Sequence, residues 1–238
     1  MRILAFETSA KAVSTALLQD GVLLGEYYQN SGQTHSRTLM KLAEDLLVNC
    51  ELTAADVDAV AWANGPGSFT GVRIGCAAAK GFAWGRELPC LPVSTLESMA
   101  RCHADFEGVV CPCMDARRSQ VYNALFRVQG GVLTRLREDR AIALEDLEAD
   151  LEALTGPVLL TGDGAQLTWN ALHGRLPALR LAPEHLRQQR ASGVALAAAA
   201  AFERGEAVTG AETAPNYLRL SQAERERLER ESRTRENE

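Results

Sequence analysis

RILAFETSAKAVSTALLQDGVLLGEYY, residues 2–28, holds three short apolar runs, RILAF, AVSTALLQ and VLLGEYY, parted by Thr-Ser-Ala-Lys and by Asp20-Gly21. Runs of this length with tight turns between them predict an antiparallel meander of three strands. The pattern returns in the second half of the chain. VVCPCMDA, QVYNALFRV and VLTRLRE, within residues 109–138, carry the same three runs, with Gly130-Gly131 as the matching hairpin turn.

Helical and strand-like segments alternate after each meander. SRTLMKLAEDLLVNC (36–50) sets Leu39, Met40, Leu42, Ala43, Leu46, Leu47 and Cys50 on one helical face. DAVAWAN (58–64) reads as a buried strand, followed by a glycine loop, a helix to about Gly85 and the strand LPCLPV. Ser94-x-x-Glu97 then predicts a capping box opening a helix to about His103. In the second half, the helix LEDLEADLEAL, the strand PVLLT, the loop Gly162-Asp163-Gly164, a short helix, the strand ALRLA and an alanine-rich helix from about Ser192 follow in order.

Two successive βββαβαβα units predict an α/β fold of two lobes, the actin, Hsp70 and sugar-kinase (ASKHA) architecture, which binds nucleotide between its lobes. The expected lobes are residues 1–105 and a smaller 106–222, whose last helix is a candidate to return to the first lobe; 223–238 is a charged tail of interleaved Glu and Arg.

Composition narrows the function. At 238 residues the chain can bury a core without disulfides or metals, and its net charge of −6 opposes a protein that grips nucleic acid backbone by itself, though not a subunit of an RNA-acting complex. The amino terminus has the run of neither a signal peptide nor a membrane span. A cytoplasmic location follows as the expectation, with the six cysteines as free thiols. Cys111-Pro-Cys113 lacks the CxxC spacing and the histidine that a metal site would need, so both read as structural thiols.

NGPGSFTGVRIG (64–75) resembles a phosphate loop, since a strand, a glycine turn and a helix start converge there. Its details fall short of a nucleotide motif: no Lys follows the glycines, and Thr70 stands where GxGxxG needs its third glycine. In the helix beyond, Arg73 and Lys80 are the only charges between Gly71 and Gly85, so more than one side must be covered. Two readings stay open: a helix wedged inside its own lobe, or one that joins the first helix in offering a surface to another subunit.

Reactive constellations are missing. His35 is followed four residues later by Leu39 where a helical metal pair needs a second histidine, and His103, His173 and His185 are scattered. Ser9, Ser68 and Ser94 lack a nucleophile-elbow context. Asp115 with Arg117 and Arg118 reads as a salt-bridged turn more than a polar site.

ILAFETS, His35-Ser36, GPGSFTGVRIG, Val93-Ser94-Thr95-Leu96, Met114-Asp115-Ala116-Arg117-Arg118-x-x-Val121-Tyr122 and Tyr217-Leu218-Arg219 together resemble the TsaB (YeaZ) family, from residue 1 to about Leu220. The resemblance implies an accessory, non-catalytic subunit of bacterial tRNA threonylcarbamoyladenosine (t6A) synthesis. Such a subunit would pair with its catalytic paralogue TsaD through the first two helices, with the ATPase TsaE joining, a homodimer when alone, tRNA contacted indirectly if at all, and no membrane. No cofactor would be required by this chain, with ATP or ADP admitted only in the assembled complex. The interface would comprise Leu39, Met40, Ala43, Leu46, Leu47, Gly71, Gly75, Ala78, Ala79 and Phe82, and a vestigial phosphate loop Glu7, Thr8, Ser9, Gly65, Gly67 and Ser68. Glu7 departs from the family's more usual Asp. One extra methylene displaces a first-strand carboxylate, which disfavours the alternative of a stand-alone ATPase or kinase.

Overall fold

A computed structural model describes residues 1–219. The first meander forms β1 (Arg2–Glu7), β2 (Val13–Gln19) and β3 (Val22–Gln29), and the second forms β6 (Gly108–Asp115), β7 (Gln120–Gln129) and β8 (Val132–Ala143), with β4 (Ala59–Gly65) and β5 (Cys90–Ser94) between. Both hairpin turns place two consecutive residues in the left-handed region, Asp20 and Gly21 at φ 50° and 83°, Gly130 and Gly131 at 56° and 78°. This backbone suits a two-residue turn between right-twisted strands.

With β9 (Val158–Thr161) and β10 (Leu179–Leu181), the strands make two five-stranded sheets ordered β3-β2-β1-β4-β5 and β8-β7-β6-β9-β10. The orders match position for position. In each, the meander is antiparallel, and the next two strands add in parallel beside its first. The duplication and the two-lobed ASKHA fold are therefore explicit in the topology.

The helices are α1 (His35–Asn49), α2 (Phe69–Ala83), α3 (Thr95–Arg101), α4 (Leu144–Glu152), α5 (Ala165–Leu172), α6 (Glu184–Arg187) and α7 (Ala191–Glu203). The first sheet has a large and a small face, set by strand alternation. Leu4, Phe6, Leu17, Val60 and Trp62 point toward α1 and α2, whereas Ala5, Ala16, Ala59, Ala61 and Ala63 point the other way and meet Ala191, Val194, Ala195, Ala198 and Ala201 of α7. Methyl groups on both partners let α7 lie close to the sheet. Such a helix, apolar all round, belongs in an interior.

The last helices of the two units are exchanged. α7 follows the second sheet in sequence but covers the first, while α3 follows the first and packs Leu96, Met99 and Ala100 against Val110, Met114 and Phe126 of the second. They touch where Gly193 leaves no room for a β-carbon against the Ser98 carbonyl. A boundary near residue 105 thus separates the sheets but not the helices. α4 and α5 cover the outer face of the second sheet through Leu147, Leu151, Ala165 and Leu172.

Some local details differ from the sequence reading. Ser94 Oγ accepts the Glu97 N–H at 3.1 Å, but the Glu97 carboxylate pairs with Arg101 and Arg135 instead of closing the reciprocal half of a capping box. Helix α2 ends at Ala83, two residues early. The charged tail 223–238 lies outside the described residues, among which no helix is long and apolar enough to cross a membrane.

Candidate functional site

The glycine loop joins β4 to α2, and its small residues answer to the chain's own backbone. A β-carbon at Gly67 would stand 2.5 Å from the Ser9 carbonyl oxygen, and one at Gly71 would strike that of Thr8. Glu7, Thr8, Ser9, Gly65, Gly67 and Ser68 are brought together: Ser68 N–H donates to Ser9 O at 2.6 Å, and Thr8 Oγ1 donates to Gly71 O at 2.8 Å. Ser68 Oγ caps the helix by accepting Gly71 N–H at 3.3 Å. Two N–H groups that would face an anion are thereby engaged inside the protein.

Glu7, at the end of β1, is fully buried. Its Oε1 accepts Ser9 N–H at 2.6 Å and its Oε2 has no partner among the described residues. Burial raises its pKa to about 7, the Ser9 hydrogen bonds oppose the rise, and the Asp163 carboxylate adds to it. The carboxyl is thus held close to half-neutral at neutral pH. Among the described residues, no group of three or more His, Cys, Asp or Glu side chains is arranged to hold a metal ion. His35 donates Nε2–H to Ala10 O at 2.8 Å.

A segment near the chain's end, 213–219, closes over this loop. Trp62 Nε1 donates to Thr213 Oγ1 at 3.0 Å, and Asn216 N–H donates to Asn64 O at 2.7 Å. Tyr217 stacks on Phe69 with centroids 4.2 Å apart, its hydroxyl accepting from Arg73 Nε at 2.9 Å. Gly65, at φ 121°, admits the passing Asn216 carbonyl, which a side chain there would block. Sequence inspection had no signal for this strap beyond Tyr217-Leu218-Arg219, because the segment lacks periodicity.

The proposed interface residues divide. Leu39, Ala43, Leu46, Leu47, Gly71, Gly75 and Ala79 are buried in the first lobe, and of these seven only Ala43 and Leu47 also border a surface groove. In this structure, then, these residues lie beneath the outer surface of α1 and α2. Gly75, in particular, lies against Thr8 Oγ1 and Trp62. Met40 is exposed, Ala78 and Phe82 are half-buried, and Ala77 and Gly81, which sequence reasoning missed, are exposed. An all-round apolar helix conceals its outward stripe: Gly75 and Ala79 face in, Ala77 and Gly81 face out.

Between α1 and α2 lies an apolar groove of about 290 Å³ lined by Met40, Ala43, Leu47, Val48, Leu52 and Phe82. Val48 in its lining is 65% exposed, and Trp84, at the end of α2, is 82% exposed in the lining of a separate cavity. What such a surface can do chemically is bind: it offers apolar area and small residues for close approach, and no nucleophile. The cysteines are free among the described residues, and burial raises the thiol of Cys102 to about 12, far from a reactive thiolate.

A family model described as TsaD, tRNA N6-adenosine threonylcarbamoyltransferase, matches residues 28–226. The tRNA threonylcarbamoyladenosine biosynthesis protein TsaB of Bacillus subtilis (strain 168) is 33% identical over 96% of this chain and 99% of its own length. Among solved structures, an uncharacterized Pseudomonas aeruginosa protein described as similar to peptidase YeaZ superposes with a TM-score of 0.78 at 28% identity, covering 92% of this chain and 99% of that one. Component A of the Acidaminococcus fermentans (R)-2-hydroxyglutaryl-CoA dehydratase, at 13% identity and a TM-score of 0.52 over 86% of this chain and 98% of its own, shares the fold alone.

Proposed function

The chain belongs to the TsaB (YeaZ) family of tRNA threonylcarbamoyladenosine biosynthesis proteins, and from that premise we propose that it is a non-catalytic subunit that pairs with TsaD and activates threonylcarbamoyl transfer to the adenosine beside the tRNA anticodon. The observation that carries this reading is the exposed α1–α2 face, with Met40 and Val48 in solvent at an apolar groove that Phe82 also lines. Apolar surface contributes about 25 cal/mol per Å² when covered, which favours association. The sealed Glu7 carboxyl and the engaged loop N–H groups support a role without its own nucleotide chemistry.

On this reading the pairing surface comprises Met40, Leu47, Val48, Ala77, Ala78, Gly81 and Phe82, the exposed and groove-lining subset of the two helices together with residues the sequence did not single out. The same face serves a homodimer when TsaD is absent, and TsaE joins the assembled pair.

The test is reconstitution. Purified chain, TsaD and TsaE are combined with tRNA, threonylcarbamoyl adenylate and ATP, and t6A is quantified with each subunit omitted. The expected result is no transfer by the chain alone and strong loss of transfer when it is left out. Transfer or ATP hydrolysis by the isolated chain, surviving removal of trace TsaD, would overturn the reading in favour of a stand-alone enzyme.

A further inference from the structure

The turn joining β6 to β7 is used by neither the glycine loop nor the α1–α2 face, and its geometry is unusual. Arg117, Arg118 and Ser119 are three consecutive non-glycine residues in the left-handed region, at φ 66°, 54° and 55°. Each such residue is disfavoured, and clusters of them mark functional loops more often than chance. The turn is held from both sides. Asp115 Oδ1 accepts Arg117 N–H at 2.8 Å, Gln120 N–H donates to Arg117 O at 3.1 Å, and Ala116 N–H to Gln120 O at 3.0 Å. Both arginine side chains are exposed, that of Arg117 over 86% of its surface, with its Nη1 also 3.4 Å from Asp115 Oδ2.

Further cations converge on the same edge. Arg219, at the end of the strap, donates to Ala116 O at 3.0 Å and lies 6.0 Å over the Tyr122 ring. Exposed Lys11, on the β1–β2 turn, lies near Asp163, whose carboxyl is pushed above its ordinary value by burial and by Asp115 against the pull of Lys11. The carboxylates of this neighbourhood lie deeper: Glu7 is fully buried, Asp163 is half-buried and bonded to Gln189, and Asp115, half-buried, holds both the backbone and the guanidinium of Arg117. Four cations thus gather at this edge of a chain of net charge −6, one of them paired with Asp115.

We propose that Lys11, Arg117, Arg118 and Arg219 form a phosphate-gripping rim that contacts the backbone of the RNA on which the assembled complex acts. The proposal rests on the tRNA-modification reading above and deepens it by giving this subunit a direct RNA contact. Guanidinium groups present paired donors to phosphate oxygens, which suits a backbone more than a shape-selective protein surface. Large exposed apolar side chains that would anchor a protein partner lie on the other face, Met40 and Val48 on α1 and Trp84 at the C-cap of α2. A four-cation patch on an acidic chain supplies a local, salt-sensitive contact and no more.

The experiment compares wild type with Arg117→Ala/Arg118→Ala and with Arg117→Lys/Arg118→Lys. Pairing with TsaD is measured first by light scattering, and the scaffold reading fails there if wild type does not pair. Binding of an unmodified tRNA transcript is then followed by fluorescence anisotropy at several KCl concentrations, for the pair and for the chain alone. The alanine variant is expected to pair normally, to bind tRNA roughly tenfold more weakly at low salt, and to lower the log–log salt slope by about 2, roughly one for each cation. The lysine variant is expected to keep the slope. An unchanged affinity and slope in the alanine variant overturns the proposal, and so does loss of TsaD pairing with tRNA affinity intact, which would make the rim a protein contact. A wild-type chain that fails to pair yet shows the slope change on its own would retain the rim and lose the scaffold.

Discussion

The outer helices of the two units occupy equivalent positions, yet their surfaces differ. α1 leaves Met40 and Val48 in water around an apolar groove, beside an exposed Lys41–Asp45 pair at 2.7 Å. α4 is edged by ion pairs, its Asp150 with Arg140 at 2.5 Å and its Glu148 with Arg175 at 2.7 Å, and on α5 Leu167 is the main exposed apolar group. Both layers seal a sheet equally well from beneath, through Leu39, Leu46 and Ala79 in the first unit and Leu147, Leu151 and Leu172 in the second. Burial of the sheet therefore does not account for the difference. The second unit has a smaller groove, about 210 Å³ at the end of α4, with Glu152 and Arg175 in its lining. The larger groove of the first unit, with Met40 and Val48 in water, is what a surface kept for a partner looks like, because unpaired apolar area is unfavourable in a free subunit.

The largest expected effect breaks the equivalence of the inner layers. Gly75→Leu places four carbons against Thr8 Oγ1, which a β-carbon alone would meet at 2.7 Å, and against Trp62. We expect destabilisation of about 4 kcal/mol, near the upper end for overpacking. Circular-dichroism melting should show the loss before any pairing assay does. Retained stability with lost pairing would return Gly75 to the outer surface.

Glu7 provides a second test of the first unit's interior. Its folded pKa of about 7 lies above the ordinary carboxyl value of 4.5, so its contribution to stability is complete below pH 4.5 and is lost as pH rises through 7. The difference corresponds to up to about 3 kcal/mol. Urea denaturation at pH 5 and pH 8 should show a steeper decline for wild type than for Glu7→Gln, which stays neutral. Parallel declines in the two proteins would mean that Glu7 is ionised throughout.

Much of the fold was legible because its signals are local. Asp20-Gly21 and Gly130-Gly131 each mark a turn between apolar runs, and the helix and strand order follows from periodicity. The exchange of α3 and α7 is not local: Ala195 is matched to Ala5 and Ala61 across nearly the whole chain. The candidate face was half legible. On α1, amphipathic spacing picks out Met40 together with the buried Leu39 and Leu46 but passes over Val48, and on α2 small residues occupy every side, so Gly75 and Ala77 look alike until the sheet is placed beneath one of them. The raised pKa of Glu7 was likewise hidden, because it depends on burial and on Asp163 from the other unit.

The outer layers are compared directly by one charge on each. Ala77→Glu on α2 and Asn170→Glu on α5 both place a carboxylate at an exposed helical position. Neither should move the melting temperature appreciably. Ala77→Glu buries an unpaired charge if the face is covered, weakening TsaD pairing by about 2 kcal/mol, roughly thirtyfold. Asn170→Glu should leave titration-calorimetry affinity unchanged. Equal effects of the two substitutions, or none from Ala77→Glu, would remove the distinction between the units.

The smallest effect concerns how each glycine loop is covered from above. In the second unit, Gly162 N–H donates to Arg187 O at 2.7 Å, a lid that follows soon after β10 in sequence. In the first, the lid comes from the chain's distant end, through Asn216 and Tyr217. Tyr217→Phe keeps the ring stacked on Phe69 and removes only the hydroxyl that accepts from Arg73. A hydrogen bond of this kind at a half-solvated site contributes about 1 kcal/mol. The expected loss is of that size, read by denaturant titration, whereas Tyr217→Ala should cost more by removing the aromatic pair as well. If the strap matters for the partner face through α2, TsaD affinity should fall with Tyr217→Ala and hold with Tyr217→Phe. Equal losses of stability in the two variants would show that the stack contributes nothing, and that the backbone bond from Asn216 to Asn64 holds the strap without it.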